Sequence, residues 1–112
     1  MHWNHYSIPE GDAALKELCE AILLAASAKD GTISDGGCRA FYTPAEWEDR
    51  EELYGTGAVL IVVHDGGDFA PCFNADYGNY PLMRKMARAL ERLGYYAEPC
   101  TCWYTGIYKH KE

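Results

Sequence analysis

The chain has 112 residues, 48% of them hydrophobic and 13% aromatic, and a formal net charge of −7. This size predicts one domain over residues 1–112, with 1–8 and 110–112 expected to be flexible, and the composition excludes a chain disordered throughout. The acidic balance argues against ordinary nucleic-acid binding, which needs clustered cations, and no run approaches the ~18 apolar residues of a membrane span.

The start, MHWNHYSIPEGD, lacks the charged and apolar regions of a signal peptide. The expectation is a cytoplasmic protein whose five cysteines are reduced thiols. His2 and His5 there, and His110 at the other end, read as solvent-exposed terminal residues. The first helix is predicted in DAALKELCEAILLAASAK. Leu15, Leu18, Cys19, Ile22, Leu23 and Ala26 recur on one face, with Asp12 as the N-cap or Ser7 and Glu10 as a rival capping box. A loop marked by Gly31, Gly36 and Gly37 follows, and CRAFY then reads as a short strand.

The segment TPAEWEDREELYG predicts a second helix that ends at Gly55. Thr43 is the cap, Pro44 sits at the first helical position, and Glu46 completes a capping box. Trp47, Leu53 and Tyr54 form its narrow apolar stripe. Its other side carries Glu46, Glu48, Asp49, Glu51 and Glu52 against the single Arg50. That side is either a solvated face or a docking face for a cationic partner.

GAVLIVV is apolar on both faces and predicts a central, covered strand. FAPCFNA is expected to be its hairpin partner across Asp65-Gly66-Gly67-Asp68, a strong turn signal. In that register His64 and Cys72 point to opposite faces, which disfavours a Cys–His nucleophilic pair. Asp65 and Asp68 face each other at the tip, with Asp76 farther down the same hairpin. They are turn residues, partner contacts, or the ligands of a metal-assisted enzyme with His64 as its acid–base group.

NYPLMRKMARALERLG predicts a further amphipathic helix, capped at Asn79 and ended by Gly94. Its core face is Leu82, Met83, Met86, Leu90 and Leu93. Arg84, Arg88 and Arg92, with Lys85 at the edge, form a basic stripe that reads as a solvated face or, less favoured, a nucleic-acid contact. YYAEPCTCWYTGIYK reads as the last strand, with Trp103, Thr105 and Ile107 on one face and Cys102, Tyr104 and Tyr108 on the other. Cys100 and Cys102 could chelate one zinc with help from Cys38, Cys72, His64 or His110. No second pair has zinc-ribbon spacing, so buried thiols are the simpler reading.

The predicted order is α-β-α-β-β-α-β. This is an α+β fold with a three- to four-stranded, mostly antiparallel sheet and helices packed on one face. No motif implies a cofactor. Nine tyrosines are many for this length, and they are expected at a contact surface or half-buried on the sheet.

The segments VVHDGGDFAPCFNADY and GYYAEPCTCWYTGIY resemble short accessory proteins carried by bacteriophages and other mobile elements. That resemblance implies a small acidic inhibitor of the anti-CRISPR or antirestriction kind, which binds a host protein or ribonucleoprotein complex with a basic groove. It implies no direct nucleic acid and no membrane. Glu46, Glu48, Asp49, Glu51 and Glu52 would supply charge, and Tyr104 and Tyr108 contact area. The alternatives are the metal-assisted enzyme at Asp65 and Asp68, or a homodimer formed through a tyrosine-rich sheet face.

Overall fold

The computed structural model describes residues 12–27, 40–51, 57–65 and 67–110. It is an α+β fold whose single sheet has four strands, all antiparallel, in the order β1-β2-β4-β3.

Helix α1, Ala13–Ala26, begins where Asp12 accepts hydrogen bonds from the amides of Ala14 and Leu15 at 3.0 and 3.1 Å. This leaves the Ser7 and Glu10 alternative outside the described residues. Its buried face is Leu18, Cys19, Ile22, Leu23, Ala25 and Ala26, close to the face expected from spacing. Strand β1 is short, Phe41–Tyr42, and Thr43 caps α2, Pro44–Asp49. Helix α2 stops well before Gly55, because Arg50 closes it and Glu51 turns into the left-handed region at φ 62°.

Strand β2, Leu60–Val63, is buried at every position and lies between β1 and β4, as its two-sided apolar run predicts. Its alternating residues divide the interior. Leu60 and Val62 join the larger cluster with α1 and α4, whereas Ile61 and Val63 pack with Trp47 of α2 and Tyr104. Helix α2 therefore covers the opposite sheet face from α1 and α4. This corrects the expectation of helices on one face.

The expected hairpin across residues 65–68 does not form. Both edges of β2 are already paired, so no edge is open to residues 69–73. Those residues fold instead into a one-turn helix α3, Ala70–Phe73, followed by a 3₁₀ turn, Ala75–Tyr77. Pro71 suits this outcome, since it lacks the N–H a ladder requires and fits a helix start. Helix α4, Tyr80–Arg92, is capped by Asn79, whose side chain accepts from the Leu82 amide at 3.3 Å. It closes at Gly94, φ 86°. Met86 and Leu90 are buried, while Arg84, Lys85, Arg88 and Arg92 are exposed, as the periodicity predicts.

The expected last strand is two strands, β3 Tyr95–Pro99 and β4 Tyr104–Lys109, paired with each other. Thr101 builds the connecting turn, its hydroxyl accepting from the amides of Trp103 and Tyr104 at 3.2 and 3.3 Å. The expected alternation holds within β4 but not before it, for Trp103, expected beside Thr105 and Ile107, precedes the strand and packs with Trp47 on the α2 side. Thr105 and Ile107 lie opposite Val62 and Leu60 on the α1/α4 side, and Tyr104 and Tyr108 lie on the α2 side. His110 is exposed but tied down, donating its amide to Gly94 O at 2.9 Å and tilting its ring onto Tyr96.

Candidate functional site

A six-residue helix is too short to persist on its own propensity, so α2 depends on its cap and its packing. The cap is reciprocal. The Glu46 amide donates to the Thr43 hydroxyl at 3.2 Å, and the Thr43 amide donates to Glu46 Oε1 at 3.1 Å. The anchor is Trp47, fully buried among aromatic rings, with centroids 5.0 Å from Tyr42, 4.8 Å from Tyr104 and 5.7 Å from Trp103. The Arg50 guanidinium lies 4.8 Å above the Trp47 ring and 5.2 Å above Tyr42, within cation–π range.

Glu48, Asp49 and Glu51 stand exposed at the outer end of this assembly. Glu46, also expected on the charged face, is half-buried and spent on the cap. Glu52 lies outside the described residues. The expectation of Tyr104 as a contact residue needs correction. It is 1% exposed, because β4 turns its ring inward against Trp47. Tyr108 is half-buried, stacked on Tyr96 with centroids 5.6 Å apart. It lies down over Gly106, where an added Cβ would sit 2.9 Å from the Tyr108 ring. Tyr96, on the edge strand, is the more exposed member of that pair.

The cluster at 64–76 is built differently from the expectation. His64 follows β2 on the α1/α4 side, its amide donating to Trp103 O at 2.8 Å. Its ring is stacked against Phe73 and shares a 2.8 Å hydrogen bond between Nε2 and Thr105 Oγ1. Both residues are buried, and burial pushes the imidazole down to about 4, so it is neutral near pH 7. Among the described residues its Nδ1 has no hydrogen-bond partner. The Cys72 thiol contacts Asp68 O at 3.4 Å and is pushed up to about 12 by burial, with the Asp68 charge adding to the rise. It is a protonated core thiol at neutral pH, which suits packing and not nucleophilic attack.

Asp65 is exposed just after β2, and Asp68 is half-buried before α3. They are not a facing pair at a hairpin tip, since that hairpin is absent. Asp76 is exposed in the 3₁₀ turn. Cys100 is half-buried and Cys102 exposed in the β3–β4 turn, and Cys38 lies outside the described residues. Among the described residues, no group of three or more His, Cys, Asp or Glu is placed to hold a metal ion. No helix there is long and apolar enough to cross a membrane.

Two features escaped sequence reasoning. The Arg50–Trp47–Tyr42 stack joins residues from a loop, a helix and a strand. The His64–Thr105 pair is a diagonal neighbour across β2 and β4, legible only once that pairing is known. Compared with protein-family models, curated proteins and solved structures, the chain has no significant match.

Proposed function

We propose that this protein is a stoichiometric binding module, an inhibitor of the anti-CRISPR or antirestriction kind. It sets the acidic end of α2 into the basic groove of a host nucleic-acid-binding protein or ribonucleoprotein complex. The observation that carries this reading is the preformed character of the surface. Glu48, Asp49 and Glu51 are exposed, yet the residue that seats their helix, Trp47, is fully buried. Charges held in place before encounter lose less freedom on binding, and complementary potentials speed association. The Arg50 guanidinium carbon lies within 4.8 and 5.2 Å of the Trp47 and Tyr42 ring centroids, so the only cation of the segment is drawn against the aromatic support. The net charge of −7 adds a long-range attraction for a cationic groove. The class of partner rests on the resemblance of the two C-terminal segments to phage accessory proteins.

Groove occupancy is tested by competition. A captured complex loaded with its own labelled nucleic acid should release it on addition of this protein, with an equivalence point at one molecule per groove. Binding that leaves the nucleic acid in place would overturn the groove assignment.

A further inference from the structure

Four of the chain's ten lysines and arginines fall within residues 84–92, all on helix α4. Because Met86 and Leu90 turn towards the core, Arg84, Lys85, Arg88 and Arg92 stand exposed on the outer side. Arg84, Arg88 and Arg92 follow one another at four-residue spacing, so they form a line with a step of about 6 Å. Tyr80 stands one step before Arg84 on the same line and is 57% exposed. Tyr77, 56% exposed, lies just ahead of it in the 3₁₀ turn, across the left-handed Gly78. Among the described residues none of the four cations is held in an ion pair.

The net charge of −7 does not cancel this line. The exposed carboxylates of α2 lie on the opposite sheet face, on the order of 20 Å away through the sheet and two layers of side chains. The screening length at physiological salt is about 8 Å, so a ligand at α4 meets mainly the local charge. Four cations less Glu91, the single carboxylate of the helix, make that charge +3. Asp76, in the preceding turn, lowers it only at the tyrosine end.

Guanidinium groups repeated at this step match the succession of phosphates along an extended strand, and each holds phosphate oxygens through its fork of N–H donors. An exposed tyrosine ring stacks on an unpaired base whatever its identity. An acidic protein surface offers neither the regular repeat nor the flat rings, and a duplex keeps its base faces covered. We infer that the outer face of α4 is a contact surface for single-stranded nucleic acid. Arg84, Lys85, Arg88 and Arg92 hold its phosphates, and Tyr77 and Tyr80 stack on its bases. The acidic balance of the chain argues against such binding only when averaged over both faces. The contact stands apart from the acidic surface and does not rest on it.

The test is a titration of the full chain with a short oligothymidylate, followed by the amide NMR signals of residues 77–92, with polyglutamate as the polyanion control. Saturable shifts centred on this face are expected, with a Kd on the order of 100 µM at about 100 mM salt. Contact with three or four phosphates gives a slope of about −2 to −3 in log K against log salt, so doubling the salt should weaken binding roughly four- to sevenfold. Arg84→Gln/Arg88→Gln/Arg92→Gln should remove most of that slope. Tyr77→Ala/Tyr80→Ala should weaken binding at least fivefold, or about 1 kcal/mol, at an unchanged slope, since stacking is not ionic. All five positions are exposed, so the fold is not at stake. Shifts that fail to saturate or centre elsewhere, equal affinity for polyglutamate, or tyrosine and arginine variants that bind as the unaltered chain does would overturn the assignment. Binding this weak neither captures a complex nor strips its nucleic acid at stoichiometric concentrations, so the result reads independently of the groove competition.

Discussion

At the scale of single residues, His64 shows how burial converts a reactive group into a structural one. Its folded value, about 4, lies below the ordinary 6.5, so as the pH falls the unfolded chain takes up this proton first. The stabilisation is complete above pH ~6.5 and is lost as the pH falls towards 4, about 3 kcal/mol in all. Urea unfolding at pH 7.5 and pH 4.5 should reveal this slope. It should flatten in the His64→Phe/Thr105→Val variant, which removes the titrating ring and its partner together. The cysteines give a second check. Cys19 and Cys72 are buried thiols pushed up to about 12, mainly by burial, whereas Cys102 is exposed. A thiol reagent at pH 8 should label Cys102 promptly, and Cys19 and Cys72 only after denaturant is added.

At the scale of elements, legibility followed the length and isolation of each pattern. Helices α1 and α4 run 14 and 13 residues, long enough for their buried faces to recur several times. β2 was legible because four consecutive buried apolar residues leave no solvent face. Helix α3, at four residues, is shorter than any helical period can reveal, and Pro71 read equally as a strand interruption. The Asp-Gly-Gly-Asp signal was real as a bend, but the edge it should have paired with was taken by β4, from more than 40 positions away. The turn between β3 and β4 has no Asn-Gly type of signal and relies on the Thr101 hydroxyl, so two strands read as one. The clearest local forecast was the Thr43–Glu46 capping box, which the structure contains. Because α2 has only six residues, Thr43→Ala should cost about 1 kcal/mol and loosen the helix that carries Glu48 and Asp49. Denaturation would give the energy, and amide exchange at residues 46–49 would locate it.

At the scale of the whole molecule, the two sides of the sheet have different characters. One holds the larger core under α1 and α4, with exposed arginines above it. The other holds the aromatic assembly around Trp47 and presents carboxylates. The charge on this second side was plain in the sequence, because acidic residues cluster whatever the fold. Its rigid support was not, since Tyr42, Trp47, Trp103 and Tyr104 come from three separate segments. The proposed activity belongs to that supported charge and not to net charge alone, which makes position the discriminating variable. The decisive measurement is quantitative capture from a bacterial host extract with three baits: the unaltered protein, Glu48→Lys/Asp49→Lys/Glu51→Lys, and Glu17→Lys/Asp76→Lys/Glu91→Lys, which changes net charge equally elsewhere. The account predicts a nucleic-acid-binding complex retained by the first and third baits and reduced at least tenfold on the second. Equal recovery on all three, or equal loss on both variants, would contradict it.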